Sequence, residues 1–150
     1  MATNPISLKG RALRLLSGRE HSRAELERKL KSHEEEPGTL AKALDELQAK
    51  GFISEQRVVE SVLNRRSAKL GAARIKQELQ SKGLAPEAVL EAVGRLRATE
   101  LERAREVWRK KFGVAPVDAT ERAKHMRFLA GRGFGGDAIR KVVGGARDDD

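Results

Sequence analysis

Residues 72–96 read AARIKQELQSKGLAPEAVLEAVGRL. Ile75 and Leu79 lie four residues apart on one helical face, and Gly83 follows where a helix closes on a left-handed residue. Pro86 suits the first turn of a second helix, whose Val89, Leu90, Val93 and Leu96 keep the helical spacing. The stretch therefore reads helix, glycine stop, helix. It also recurs. Moved on by 50 residues, Leu79 falls on Leu129, Lys82 on Arg132, Gly83 on Gly133, Leu84 on Phe134, Val89 on Ile139 and Val93 on Val143. Moved back by 49, Ile75 falls on Leu26, Leu79 on Leu30, Val89 on Leu40, Val93 on Leu44 and Leu96 on Leu47. One period near 50 relates three segments, each long enough for three helices. A unit of that size buries little surface alone and gains by stacking on its neighbours. The expected fold is thus all-α, three tandem three-helix repeats in an elongated, curved array. The expected boundaries are 1–53, 54–99 and 100–145, with 146–150 a disordered acidic tail.

The other helices follow from their caps and stops. Ser7 caps a helix from Leu8 to about Ser17, with Leu8, Ala12, Leu15 and Leu16 on one side. Ser22-Arg23-Ala24-Glu25 is a capping box, opening a helix that carries Leu26 and Leu30 inward. Thr39 is read as the cap of a helix with Leu40, Ala43, Leu44 and Leu47. Ser54 starts a longer one through Val58, Val59, Val62 and Leu63 to Leu70, broken by Gly71. From about Glu100 the apolar spacing resumes through Ala104, Val107, Trp108 and Phe112. Asp118-Ala119-Thr120-Glu121 forms a second capping box before Ala123, Met126, Phe128 and Leu129. A last helix holds Ala138, Ile139, Val142 and Val143, and no alternating strand of useful length is present.

Composition removes several classes of function. Of 150 residues 35% are charged and only 3% aromatic, so the core must be aliphatic. Without cysteine there is no disulfide, thiolate zinc site or cysteine nucleophile, which fits a reducing cytoplasm. No apolar run of about 18 residues occurs to span a membrane, and Met1 to Lys9 lacks the pattern of a secretory signal. His21, His33 and His125 form no HxxxH or HExxH spacing, and His21 reads as a turn residue. Gly131 to Gly136 follows a helix instead of a strand, so it reads as a stop and turn, not a phosphate loop. Asp148 to Asp150 read as a solvated tail. No enzyme activity, metal or cofactor is expected.

The remaining signal is charge. The chain carries a net +9, and the three successive fifty-residue segments carry +2, +3 and +4. An excess of this size points to an anionic partner, nucleic acid above all. The candidate binding residues are Arg65, Arg66, Lys69, Arg74, Lys76 and Lys82 in the second repeat, with Arg122, Lys124, Arg127, Arg132, Arg140 and Lys141 in the third. Arg66 and Lys69 suit a helix C-terminus. Arg74, Lys76, Arg122 and Lys124 fall in what read as first turns, where cations are disfavoured, so a partner is the better reason for them.

Three segments resemble the RecX family, regulators of the bacterial RecA recombinase. The first is Ser22-Arg23-Ala24-Glu25-Leu26 with Leu44-Asp45-Glu46-Leu47 and Gly51-Phe52-Ile53-Ser54-Glu55-Gln56-Arg57. The second is Arg74-Ile75-Lys76-Gln77-Glu78-Leu79 with Lys82-Gly83-Leu84. The third, the most specific, joins Phe112-Gly113 and Pro116-Val117-Asp118 to Glu121-Arg122-Ala123-Lys124, Met126-Arg127-Phe128-Leu129 and Arg132-Gly133-Phe134. One departure is that Val58-Val59-Glu60 stands where the family usually has an aromatic followed by Ala-Glu. The resemblance implies three tandem three-helix repeats, in agreement with the period. It also implies binding in the groove of the RecA–DNA filament, with inhibition of strand exchange, ATP hydrolysis and co-protease activity; the tandem array itself is expected to be a monomer, and the lack of cysteine fits the cytoplasm. Weak, non-specific binding to single- and double-stranded DNA would accompany this. The alternative is a helix-turn-helix-like regulator acting directly on duplex DNA, against which stand the missing wing strands and the threefold repetition. A nuclease would need clustered carboxylates for metal ions, whereas the acids here are spread along helix faces.

Overall fold

The structure is a computed structural model that describes residues 6–144; the predicted acidic tail 146–150 lies outside the described residues. Among these residues the secondary structure is helical throughout: α1 (Leu8–Gly18), α2 (Arg23–Leu30), α3 (Thr39–Ala49), α4 (Glu55–Arg66), α5 (Ala72–Ser81), α6 (Pro86–Ala98), α7 (Glu100–Lys111), α8 (Ala119–Gly131) and α9 (Gly136–Gly144), with one 3₁₀ turn at Lys31–His33. The helices pack as three consecutive triplets, α1–α3, α4–α6 and α7–α9. Each triplet has its own core. Leu26, Leu30, Leu40, Leu44 and Leu47 lie in the first, Val58, Val62, Ile75, Leu79 and Val93 in the second, and Leu129, Phe134, Ile139, Val142 and Val143 in the third. Val58 and Val59, at the family's usual aromatic and alanine positions, are both buried. The predicted all-α fold of three tandem three-helix repeats is thus present.

Local differences have local causes. Thr39 is the first residue of α3 and not its cap; Gly38 at φ 90° takes that place, and the Glu34 carboxylate accepts from the Leu40 amide at 2.9 Å. Of the acids after α2, Glu34 therefore serves the start of the next helix, where negative charge suits the dipole. In the second predicted capping box, Asp118 accepts from the Glu121 amide at 2.8 Å, but Glu121 reaches back to the Val117 amide, not to that of Asp118. The helix predicted to run to Leu70 ends at Arg66. Leu90, placed on the apolar side by its spacing, is 66% exposed.

The repeats join through two seams that use the same positions. In each, the start of one repeat's second helix meets the end of the next repeat's second helix. At the first seam the Ser22 hydroxyl accepts from the Glu25 amide at 3.1 Å and donates to the Lys82 carbonyl at 2.5 Å. The Arg28 guanidinium donates to the Ser81 carbonyl at 3.1 Å. At the second seam the Gly71 amide donates to the Arg132 carbonyl at 2.8 Å, and the Arg74 guanidinium to the Gly131 carbonyl at 2.7 Å. Ser81 and Lys82 are the residues that the 50-residue shift maps onto Gly131 and Arg132, so the two seams share their acceptors. Both place helix-end carbonyls, which carry partial negative charge, against donors or cations. Glycine is needed for the approach. A Cβ on Gly83 would stand 2.6 Å from the Ala24 Cβ, and one on Gly71 would overlap the Gly133 backbone.

Three charged side chains with little exposure complete the seams. At the second, Glu100 accepts from the Ala72 amide at 2.6 Å and the Gly135 amide at 3.2 Å. Arg103 beside it donates to the carbonyls of Ser67, Leu70 and Leu96 at 2.6–2.9 Å. Burial lowers the Arg103 guanidinium below its ordinary value, with Glu100 opposing. At the first seam the Glu25 carboxylate, 7% exposed, accepts from Arg19 at 2.7 Å and pairs with Lys82 at 3.5 Å. Burial alone would raise its pKa, but the Arg19 and Ser22 hydrogen bonds and the Lys82 charge outweigh burial and hold it at about 2.

Acid is therefore expected to loosen the first repeat in two stages. His21 is buried, and Lys29, which can only donate, sits 3.1 Å from Nε2, so Nδ1 carries the proton toward the Arg19 carbonyl. Burial, chiefly, lowers its pKa below 6.5. An unfolded chain then takes up this proton before the folded one, and stability falls as pH drops below 6.5. The Glu25 contribution is fully present above 4.5 and is lost as pH falls toward about 2. It amounts to about 3 kcal/mol. Thermal melts from pH 8 to pH 2 check this; Glu25→Gln should remove the second stage.

Candidate functional site

The structure sorts the twelve predicted cations into three groups. Two serve the seams: Arg74 donates to Gly131, and Lys82, only 12% exposed, pairs with Glu25. Three take part in ion pairs at the surface. Arg65 and Arg66 share Glu78 at 3.5 and 3.1 Å, and Arg140 pairs with Asp137. The other seven, Lys69, Lys76, Arg122, Lys124, Arg127, Arg132 and Lys141, make no ion pair among the described residues.

The first-turn argument changes with the observed helix starts. Lys76 and Lys124 stand in second turns, where the dipole effect has faded. Arg74 does lie in the first turn of α5, and the C-terminal carbonyl of α8 supplies it with a local partner. Lys124 and Arg127, three apart, share the outer face of α8 and are both exposed.

Two lysines that the sequence reading passed over join the candidates. Lys110 and Lys111 close α7 and face Lys69 and Arg132 across a cleft of about 410 Å³ at the seam of repeats two and three. Their signal was the run Arg109-Lys110-Lys111 immediately before Phe112, which is also what a helix C-terminus favours. The Phe128 ring lies under the Arg132 guanidinium at 4.8 Å and the Lys111 ammonium at 5.4 Å.

His125 is buried, accepts from the Trp108 indole at 3.0 Å and stacks on Phe112 at 3.7 Å, a packing role. Among the described residues no three His, Cys, Asp or Glu side chains group to hold a metal ion. No described helix is long and apolar enough to cross a membrane. Of the concave features among the described residues, the one at the seam of repeats two and three is lined by four cations.

Comparison with known proteins meets the same triplets. The RecX first, second and third three-helix domains match residues 9–47, 54–93 and 98–143, one model to each observed unit. The chain belongs to the RecX family. It is 54% identical over 145 residues to a regulatory protein RecX from Leptothrix cholodnii, covering 95% of this chain and 92% of that one. A second, from Herminiimonas arsenicoxydans, is 50% identical over 95% of each chain. The crystal structure of RecX from Lactobacillus salivarius superposes with a TM-score of 0.75 at 20% identity, over 91% of this chain and 92% of that one. Another RecX crystal structure gives 0.76 at 19% identity, over 92% and 72%. At such identities these likenesses speak for the fold alone. The family's regulators keep it while most side chains change, as expected if repeat cores and seams carry the architecture and surfaces carry the rest.

Proposed function

We propose that this protein is a regulator, and specifically an inhibitor, of the RecA recombinase, acting by lying in the groove of the RecA–DNA filament. The observation that carries this reading is that all three repeats match the RecX domains in order, in a chain 54% identical to a regulatory protein RecX. Three units in series suit a filament, because each can meet a neighbouring subunit and the contacts then reinforce one another through effective concentration. The seven open cations, Lys69, Lys76, Arg122, Lys124, Arg127, Arg132 and Lys141, supply the contact to DNA, with little sequence preference, since phosphates carry none. The protein acts as a cytoplasmic monomer without catalytic activity of its own. By slowing filament growth it would depress strand exchange, ATP turnover and co-protease activity together.

The test is single-stranded-DNA-dependent ATP hydrolysis by RecA with this protein titrated in. Inhibition well below one molecule per RecA subunit is expected. No effect at any ratio would overturn the reading. A sequence-specific shift of duplex DNA without RecA would favour a direct helix-turn-helix-like regulator instead.

A further inference from the structure

The cleft at the seam of repeats two and three is lined by four cations from three elements: Lys69 after α4, Lys110 and Lys111 at the end of α7, and Arg132 at the end of α8. No acid lines it. Where Arg65 and Arg66 come together, a carboxylate, that of Glu78, sits between them. Here four like charges share one concavity of about 410 Å³ and lack a carboxylate. Two features make the gathering tolerable. Lys111 and Arg132 lie over the Phe128 ring, whose face attracts cations. The helix ends nearby contribute partial negative charge. Neither supplies a full counter-charge, and although the Glu106 carboxylate acts on Lys110 from outside the cleft, the lining itself carries only positive charge.

The occupant must therefore be a polyanion able to enter a concave space. We infer that the cleft seats consecutive backbone phosphates of single-stranded nucleic acid. A concavity of about 410 Å³ lined from three elements gives such a backbone room to lie along it. An acidic peptide fits less well. Peptide docking relies on apolar anchors, and here the aromatic face is already covered by two cations and the floor offers only Val107 and Ala68. Ammonium groups on flexible stems, three of the four cations, suit phosphates presented at varying angles. The cleft deepens the regulatory reading, because it names where the strand would be held. It rests on its own observation, however, and is tested apart.

The experiment measures binding of a labelled thirty-residue oligothymidylate by fluorescence anisotropy from about 50 to 200 mM salt. Wild type is compared with Lys69→Gln/Lys110→Gln/Lys111→Gln and with Lys31→Gln/Lys42→Gln/Lys50→Gln, which removes equal charge from exposed sites in repeat one. The cleft variant should bind at least about 30-fold more weakly at the lowest salt. Its log–log salt slope should shrink by about 2, from 0.7 per lost phosphate contact on a single strand. The repeat-one variant should stay within about threefold of wild type. Equal weakening by both variants would mean a diffuse field and overturn the proposal, as would unchanged binding by the cleft variant. Displacement of the oligonucleotide by polyglutamate at equal charge would assign the cleft to an acidic protein and overturn it too. RecA ATP hydrolysis, run in parallel, separates the two ideas. Failure of the wild type to inhibit sinks the regulatory reading whatever the cleft binds, while inhibition with an unaffected cleft variant sinks only the cleft.

Discussion

Gly71→Ala is expected to lower stability by about 3 kcal/mol, while Gly94→Ala, the same added methyl one helix later, raises it by up to about 1 kcal/mol. Gly71 has an ordinary φ of −82°, so alanine suffers no backbone strain there. The cost is steric. The new Cβ would overlap the carbonyl of Gly133 and the amide of Phe134, and those are backbone atoms that cannot rotate aside. The seam must open, losing or stretching the Gly71–Arg132 and Ala73–Gly133 hydrogen bonds at 2.8 and 3.2 Å. Each is worth about 1 kcal/mol net, and the exposed helix-end carbonyls then need water. Gly94 sits within α6 with open space around its Cβ position, so alanine there only restricts the unfolded chain. In a repeat protein the loss falls on one interface. The Gly71→Ala melt should broaden or split as the third repeat uncouples, at a midpoint lower by about 6–12 °C. A sharp, unshifted transition would show that the seam does not couple the repeats. Inhibition of RecA should weaken in step, because repeats held at no fixed angle lose their shared effective concentration.

That glycine also marks where the sequence stops being legible. The cores were readable because they are periodic: Leu26, Ile75 and Leu79 recur at matched places and are buried. Caps such as Ser22 and Asp118 were readable because their partners lie three residues away. The seams were not. Ser22 meets Lys82 sixty residues on, and Gly71 meets Arg132 at about the same distance. A glycine that stops a helix and a glycine that admits another backbone look alike in one sequence. Charge was legible as a total and not as a surface. Arg74 and Lys82 sit at seams and Arg65 and Arg66 share one glutamate, while Lys110 and Lys111 passed as ordinary helix-end cations. Whether a cation is open depends on acids brought near it by packing, which periodicity does not encode.

Reversing four of the open cations outside the seams, Lys76, Arg122, Lys124 and Arg127, to glutamate is expected to raise the concentration for half-inhibition of RecA about 100-fold with helix content unchanged. Arg74 is left alone, because its guanidinium holds the second seam and its loss would confuse folding with binding. The other four make no ion pair among the described residues, so their reversal breaks no bond seen there. Each exchange alters charge by two, which takes the net +9 to +1. If these four side chains meet about four phosphates, the duplex salt slope should weaken by roughly 3.6, leaving the share carried by the seam cations. The reversal could not act through the helix dipole: Arg122 lies near the start of α8, where a glutamate is favoured, and Lys76 and Lys124 lie beyond the first turn. Circular dichroism checks the fold, and the ATPase titration repeated at 50 and 200 mM salt checks the mechanism. Wild type should lose potency as salt rises, and the reversed protein should lose less of it over the same range. Equal inhibition by both proteins would leave the family membership intact and move the contact with the filament to the acidic or apolar surfaces, beginning with the exposed Val114 and Val117 of the loop before α8.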